Sequence, residues 1–238
     1  TQAAQRLISA SLELGGNDAA IVLQDCELER TIQGVLWGAS SNSGQNCAAI
    51  ERCYVETGIY ERFTEGLIEA ARDLPIAPLA TAQQDAIVTR HLQDAVERGA
   101  TAHGDYPGSV VVLTDLDPDS MVLREETFGP LLPVVQVDGP EAALRAANAS
   151  EFGLTTSIWT KDEARARDMA KRAQSGVVTI NNVAMTGSMP FAPWSGRGIS
   201  GTGVTNSHLA LMEMVNSKYL LIDHGKDPEP WWHPDTPE

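Results

Sequence analysis

Three short motifs in this 238-residue chain put reactive side chains beside glycines. The first is Gly44-Gln45-Asn46-Cys47-Ala48-Ala49. A cysteine just after a Gly-containing turn, with a helical stretch behind it, lies near backbone N–H groups. Such donors stabilise a thiolate and can hold an oxyanion formed at the same place. The second is Leu12-Glu13-Leu14-Gly15-Gly16. A carboxyl group buried between leucines titrates high and suits general-base work near neutral pH. The two glycines let another segment or a ligand come close. The third is Glu125-Glu126-Thr127-Phe128-Gly129-Pro130, where a carboxylate could accept from ligand hydroxyls such as those of a ribose, with Phe128 packed on a ring. Taken singly, each motif reads more simply as structure: a small buried thiol, an exposed strand-end Glu, a solvated acidic turn.

The elements that would position these residues alternate. Short apolar runs at 19–23, 110–113, 131–137, 155–160 and 177–180 read as strands. Amphipathic helices are expected from Asp25 as a cap onward, over 59–74, over 81–98 closed by Gly99, over 141–147 and over 161–174. This alternation predicts an α/β fold, a three-layer αβα domain with a largely parallel sheet. Functional residues are then expected where strand ends meet helix starts. Residues 1–222 read as one domain. Residues 217–222 read as an edge strand, and 223–238 as a Pro-containing tail docked through Trp231 and Trp232. The segment from Met185 to Trp194 is expected to line a pocket, and Trp37 to be buried.

Composition removes several classes. The net charge of −15 repels phosphate, so a nucleic-acid partner is not expected. No run is apolar over the ~18 residues that a membrane-spanning helix needs, so no membrane role is expected. Three cysteines are too few, and of the wrong parity, for a disulfide framework, and favour a reducing, cytoplasmic setting. The five histidines are scattered without ligand spacing, so no metal site is predicted. The first residues, TQAAQRLISA, open partway into a helical pattern with no cap. The chain is therefore expected to be a piece of a longer protein.

Order raises the value of the motifs. LELGG, GQNC and EETFGP follow one another, with Glu13 and Cys47 separated by 34 positions. Behind them come Phe152-Gly153-Leu154, then Gly176 to Asn181, Pro190-Phe191, and Ser200-Gly201-Thr202-Gly203. The ordered set resembles the catalytic domain of the NAD(P)-dependent aldehyde dehydrogenases. That resemblance implies that Cys47 is the nucleophile toward an aldehyde carbonyl. It implies that Glu13 activates the water that releases a carboxylic acid. Glu126 would hold the nicotinamide ribose and Phe128 would lie near the ring, with Gly15 also at the cofactor side. Asn46, Ala48 and Trp194 would line the substrate pocket. The cofactor would be NAD or NADP, the substrate a small-molecule aldehyde, and the assembly a homo-oligomer. It also implies that the cofactor-binding domain, with a second oxyanion donor, precedes LELGG and is largely absent from this chain. Two other functions stay open: a cysteine-dependent esterase, and a non-catalytic assembly subunit.

Overall fold

The computed structural model describes residues 2–72, 74–183 and 188–232. In chain order it holds α1 (Gln2–Gln5), β1 (Leu12–Glu13), β2 (Asp18–Val22), α2 (Leu28–Ser40), β3 (Ile50–Glu56), α3 (Tyr60–Ala71), α4 (Ala82–Glu97), β4 (Thr101–His103), β5 (Val111–Thr114), α5 (Met121–Arg124) and β6 (Leu131–Val137). There follow α6 (Pro140–Asn148), β7 (Phe152–Gly153), β8 (Thr155–Trp159), α7 (Glu163–Arg172), β9 (Val177–Ile180), β10 (Arg197–Gly198), β11 (Gly201–Thr202) and α8 (Ser207–Glu213).

Seven strands form one sheet in the order β4-β5-β6-β3-β2-β8-β9. Every pairing in it is parallel except β4 with β5. Alternation along β2 explains the two faces, because successive side chains leave a strand on opposite sides. Ala20 and Val22 pack toward Ile32, Val35 and Leu36 of α2 and Phe63 and Leu67 of α3. Ala19 and Ile21 pack toward Ala143, Leu144 and Ala147 of α6 and Ala166 and Met169 of α7. The expected three-layer αβα architecture is therefore present. Among the described residues no helix is long and apolar enough to cross a membrane.

Several expectations need correction. Central strand β3 was not foreseen, because Glu51 and Arg52 interrupt its apolar run. Glu27, not Asp25, precedes α2 as its cap residue, and Asp25 instead accepts a hydrogen bond from Thr160 Oγ1 at 2.6 Å. Trp37 is 52% exposed because it faces outward from α2. Residues 217–222 form no strand in the single chain, where no neighbour offers them a backbone ladder. Trp231 and Trp232 are exposed rather than docked. The tail beyond residue 232, and Met185 to Gly187 of the expected pocket segment, lie outside the described residues.

Candidate active site

Helix α2 leads directly to Cys47. It ends at Ser40, and a tight turn follows in which Asn42, Ser43 and Gly44 all have positive φ, at 54°, 58° and 74°. Two of these are not glycine, and such residues cost on the order of 1–3 kcal/mol each, so the surroundings must over-determine them. They do. Asn42 Nδ2 donates to the Gln45 carbonyl at 3.0 Å, and Gln45 Nε2 donates back to the Asn42 carbonyl at 3.1 Å. Ser43 Oγ donates to the Ala77 carbonyl and accepts from the Ala77 N–H. The Ala80 N–H donates to Gln45 Oε1 at 2.8 Å. A Cβ on Gly44 would lie 2.2 Å from the Gly129 carbonyl oxygen, so this turn is pressed against the segment that carries Glu126.

Cys47 is half-buried, with its thiol 3.8 Å from Asn46 Oδ1. The low-pKa thiolate expected from the sequence is not what the surroundings favour. It is the C-terminal end of α2 that leads toward Cys47, and a strand follows, so neither neighbouring element along the chain presents a helix N-terminus to the sulfur. Burial pushes the thiol up, and the nearby Glu13 and Asp18 carboxylates push it further. The N–H groups of Ala48 and of Cys47 itself pull it down by less.

Glu13 reaches the same place from the other side. Its short strand β1 pairs with β11, Glu13 lying opposite Gly201. The Leu14 N–H donates to the Ser200 carbonyl at 3.1 Å, and Trp194 Nε1 donates to Glu13 Oε1 at 3.1 Å. Trp194 is buried, and reciprocal 2.8 Å backbone bonds tie it to Thr205. Glu13 itself is exposed, as the simpler strand-end reading of its motif had it rather than as a buried carboxyl, because both flanking leucines also lie at the surface. Glu13, Asn46, Cys47, Ala48 and Trp194 line one cavity of about 420 Å³, together with Ser188, Thr205 and Asn206. Ser188 falls in the segment expected to line a pocket; Thr205 and Asn206 were not anticipated, because their stretch carries no chemical signature beyond its polar composition.

The two glycines after Leu14 connect this cavity to Glu126. The Gly16 N–H donates to Glu126 Oε1 at 2.9 Å. A Cβ on Gly15 would lie 2.0 Å from Glu126 Oε2, and one on Gly16 would lie 2.4 Å from the Cys47 carbonyl oxygen. Only glycine allows Cys47, Glu126 and the chain between them to approach so closely. Burial pushes the Glu126 carboxyl up. Among the described residues its Oε2 has no hydrogen-bond partner. Phe128, half-buried with φ of 49°, stands near Glu126 in the chain and does not line the Cys47 cavity.

Beneath these residues lie two buried carboxyl groups that sequence reasoning passed over. Asp18 accepts from the N–H and Oγ1 of Thr155, at 2.9 and 2.6 Å, and burial lifts it to about 7. Glu51 accepts from the N–H groups of Thr127 and Phe128 and from Asn17 Nδ2, and burial lifts it to about 8. An acid–base pair inside an otherwise apolar strand, Ile50-Glu51-Arg52-Cys53-Tyr54-Val55, was the available signal. The whole group gathers at the amino ends of β2, β3, β6 and β8, not at the carboxyl ends that open parallel sheets usually use. The turn before β3 and the glycines before β2 bring the reactive residues to that edge.

Residues 1–220 match the aldehyde dehydrogenase family as a whole. The chain belongs to the aldehyde dehydrogenase family. It is 35% identical over 247 residues to the 4,4'-diapolycopene aldehyde oxidase of Methylomonas sp, covering 98% of this chain and 47% of that protein. It is 32% identical to the NADP(+) succinate-semialdehyde dehydrogenase GabD of Escherichia coli (strain K12), covering 93% of this chain and 49% of that one. The NADP-dependent glyceraldehyde-3-phosphate dehydrogenase of Bacillus halodurans C-125, solved in complex with NADP, superposes with a TM-score of 0.84 at 32% identity. That match covers 90% of this chain and 49% of that one. The chain spans about half the length of the curated relatives it matches.

One motif in this aldehyde dehydrogenase chain invites a wrong reading. Gly196-Arg197-Gly198-Ile199-Ser200-Gly201 has the spacing G-x-G-x-x-G. A dinucleotide loop needs a strand before that run and a helix opening on it. Here the run lies between and within β10 and β11, which are two residues each, and α8 begins only at Ser207. It builds the ladder to Glu13 rather than a phosphate cradle.

Proposed function

We propose that this chain supplies the catalytic half of an NAD- or NADP-dependent aldehyde dehydrogenase that converts a small aldehyde to its carboxylic acid. The observation that carries the reading is the shared cavity of Cys47 and Glu13. The sulfur of Cys47 attacks the aldehyde carbon as its thiol proton leaves to solvent in the open cavity. The carbonyl oxygen becomes an oxyanion within reach of the Cys47 N–H. Bound NAD or NADP supplies the acceptor for the hydride whose loss turns this adduct into a thioester on Cys47. Glu13 then takes a proton from water, the hydroxide attacks the thioester carbonyl, and the acid departs as the Cys47 sulfur is freed.

The residues present suit a nicotinamide nucleotide. Glu126 Oε2 is a carboxylate oxygen with no partner among the described residues, suited to the hydroxyls of a ribose. Phe128, two residues further along the chain, would offer its ring to the nicotinamide. The name of the E. coli relative and the bound NADP of the Bacillus structure support the same cofactor class. Its phosphates would be held outside the motifs described above, in a further cofactor-binding portion.

A homo-oligomer accompanies this reading. Leu211, Met214, Tyr219, Leu220, Leu221 and Ile222 are all exposed in the single chain, and a patch of this kind suits a second copy. A reducing, cytoplasmic setting would keep Cys47 a thiol. The test of the function is aldehyde-dependent formation of NADH or NADPH by the intact protein. Turnover that disappears in Cys47→Ala supports the proposal, and turnover that survives it refutes it.

A further inference from the structure

The geometry points to Glu51 as a positioning residue: its carboxyl group grips the Thr127 and Phe128 amides and so sets how firmly the segment carrying Glu126 and Phe128 holds a nicotinamide ribose. This rests on the function proposed above for Glu126 and Phe128.

The segment is held mostly by side chains, and Glu51 is the one that binds two of its amides. Residues 125–130 lie between α5 and β6 and belong to no helix or strand. Phe128 adopts a left-handed backbone, which a bulky residue does not take without restraint. Glu51 Oε2 accepts from the Thr127 N–H at 2.8 Å, and Oε1 accepts from the Phe128 N–H at 2.6 Å. The carbonyls of the same two residues accept from Gln84 Nε2, and Asn17 Nδ2 bridges Glu51 Oε2 to the Glu125 carbonyl. Side chains here replace a backbone ladder.

The strand is shaped to aim Glu51 at this task. Asp18 pairs with Ile50, and the next residue, Ala19, pairs with Arg52, so Glu51 is the extra residue of a bulge. Bulges re-aim a side chain at the cost of one ladder position. Glu51 is not the counterion of its neighbour. Arg52 spends its guanidinium on the carbonyls of Asn17, Ala146 and Ala147 and on the Tyr54 hydroxyl. All three partners of Glu51 are N–H donors, a set that matches an ionised carboxylate, which only accepts. The charged and titratable groups nearest it are Asp18 on β2, Arg52 on its own strand, Arg90 and His91 on α4, and Glu125 and Glu126 on the segment itself. Burial lifts Glu51 to about 8 and Glu126 pushes the same way, so the grip tightens as Glu51 ionises on the alkaline side of neutrality.

The test compares wild type, Glu51→Gln and Glu51→Asp in the intact protein. Gln sets an amide N–H against an N–H donor, whereas Asp keeps the charge with a shorter reach. Hydrogen exchange without cofactor should show the Thr127 and Phe128 amides losing roughly tenfold or more protection in E51Q, and less in E51D. Exchange in 163–172 should stay unchanged as a control for the fold. In turnover, KM for NAD or NADP should rise roughly tenfold with kcat changed far less. The wild-type fall in that KM as pH rises through about 8 should vanish in E51Q. Should E51Q not fold, E51D is read by the same exchange and KM measurements. Unchanged exchange at both amides, or loosened amides with an unchanged cofactor KM, overturns the inference. A wild-type protein with no cofactor response overturns the functional reading and the inference together, whereas a wild-type response left intact in E51Q overturns the inference alone.

Discussion

Trp194 donates its indole N–H to the Glu13 carboxylate across 3.1 Å, joining residues 181 positions apart in the chain. The contact fixes one oxygen of an exposed carboxylate at the rim of the Cys47 cavity. It gives Glu13 an orientation that its own two-residue strand could not impose.

Trp194→Phe should therefore retain the ring and lose the donor. The steps that use Glu13 as a base suffer while binding of the aldehyde does not. Rapid mixing should show the first turnover of NADH or NADPH formation largely kept and the steady-state rate lowered roughly tenfold. Equal loss in both phases would place Trp194 in substrate binding instead.

The charge on Glu13 should also be audible in the chemistry of Cys47. Burial and the Glu13 carboxylate both push the thiol up. Alkylation of Cys47 by iodoacetamide should thus rise with pH to an inflection above the ordinary thiol value of about 8.5. Glu13→Gln removes a negative neighbour and should move that inflection down. An upward shift would show that the two groups do not share a field.

Gly15 and Gly16 are spatial requirements rather than turn formers. A methyl group on Gly15 would meet the Glu126 carboxylate, and one on Gly16 would meet the Cys47 carbonyl. Gly15→Ala should weaken cofactor binding with Cys47 alkylation nearly unchanged. Gly16→Ala should alter the alkylation rate at Cys47. Binding titrations and labelling kinetics on the two variants separate these effects.

The buried acids make stability depend on pH. The folded-state values of Asp18 and Glu51 are raised to about 7 and about 8 by burial. For each, the folded protein binds the extra proton between the unfolded value near 4 and the raised one. Their contribution is full below about 4 and is lost as pH rises through 7 to 8. His91, buried on α4, has its value lowered by burial, so its contribution is present above about 6.5 and lost as pH falls. Urea midpoints measured from pH 5 to 9 should fall on the alkaline side. Asp18→Asn should flatten that fall, and an unaltered slope would contradict the assignment.

The legible part of this molecule was the part with a period or a motif. Helices α3, α4 and α7 carry apolar residues at helical spacing, and β6 and β9 occupy the residues expected for them. Thr81 accepts from the Gln84 N–H as a helix cap at the start expected for α4. Cys47 and Glu13 announced themselves through ordered motifs. What stayed hidden depends on long-range partners. Strand β3 could not be read because Glu51 and Arg52 break its apolar run, and their partners Asn17, Thr127 and Ala146 are distant in sequence. The ladders of β1 with β11 and of β7 with β10 are two residues long, too short for a periodic signal. The raised thiol of Cys47 follows from which groups surround it in space, and no local pattern records that.

The most direct test is the mass of Cys47 after reaction. In Glu13→Gln, thioester release should be slow while its formation continues. With aldehyde and NAD or NADP together, the peptide containing Cys47 should gain the mass of the acyl group, and with either one alone it should gain no stable acyl mass. An acyl group on Cys26 or Cys53, or no adduct at Cys47 during active turnover, would contradict the account.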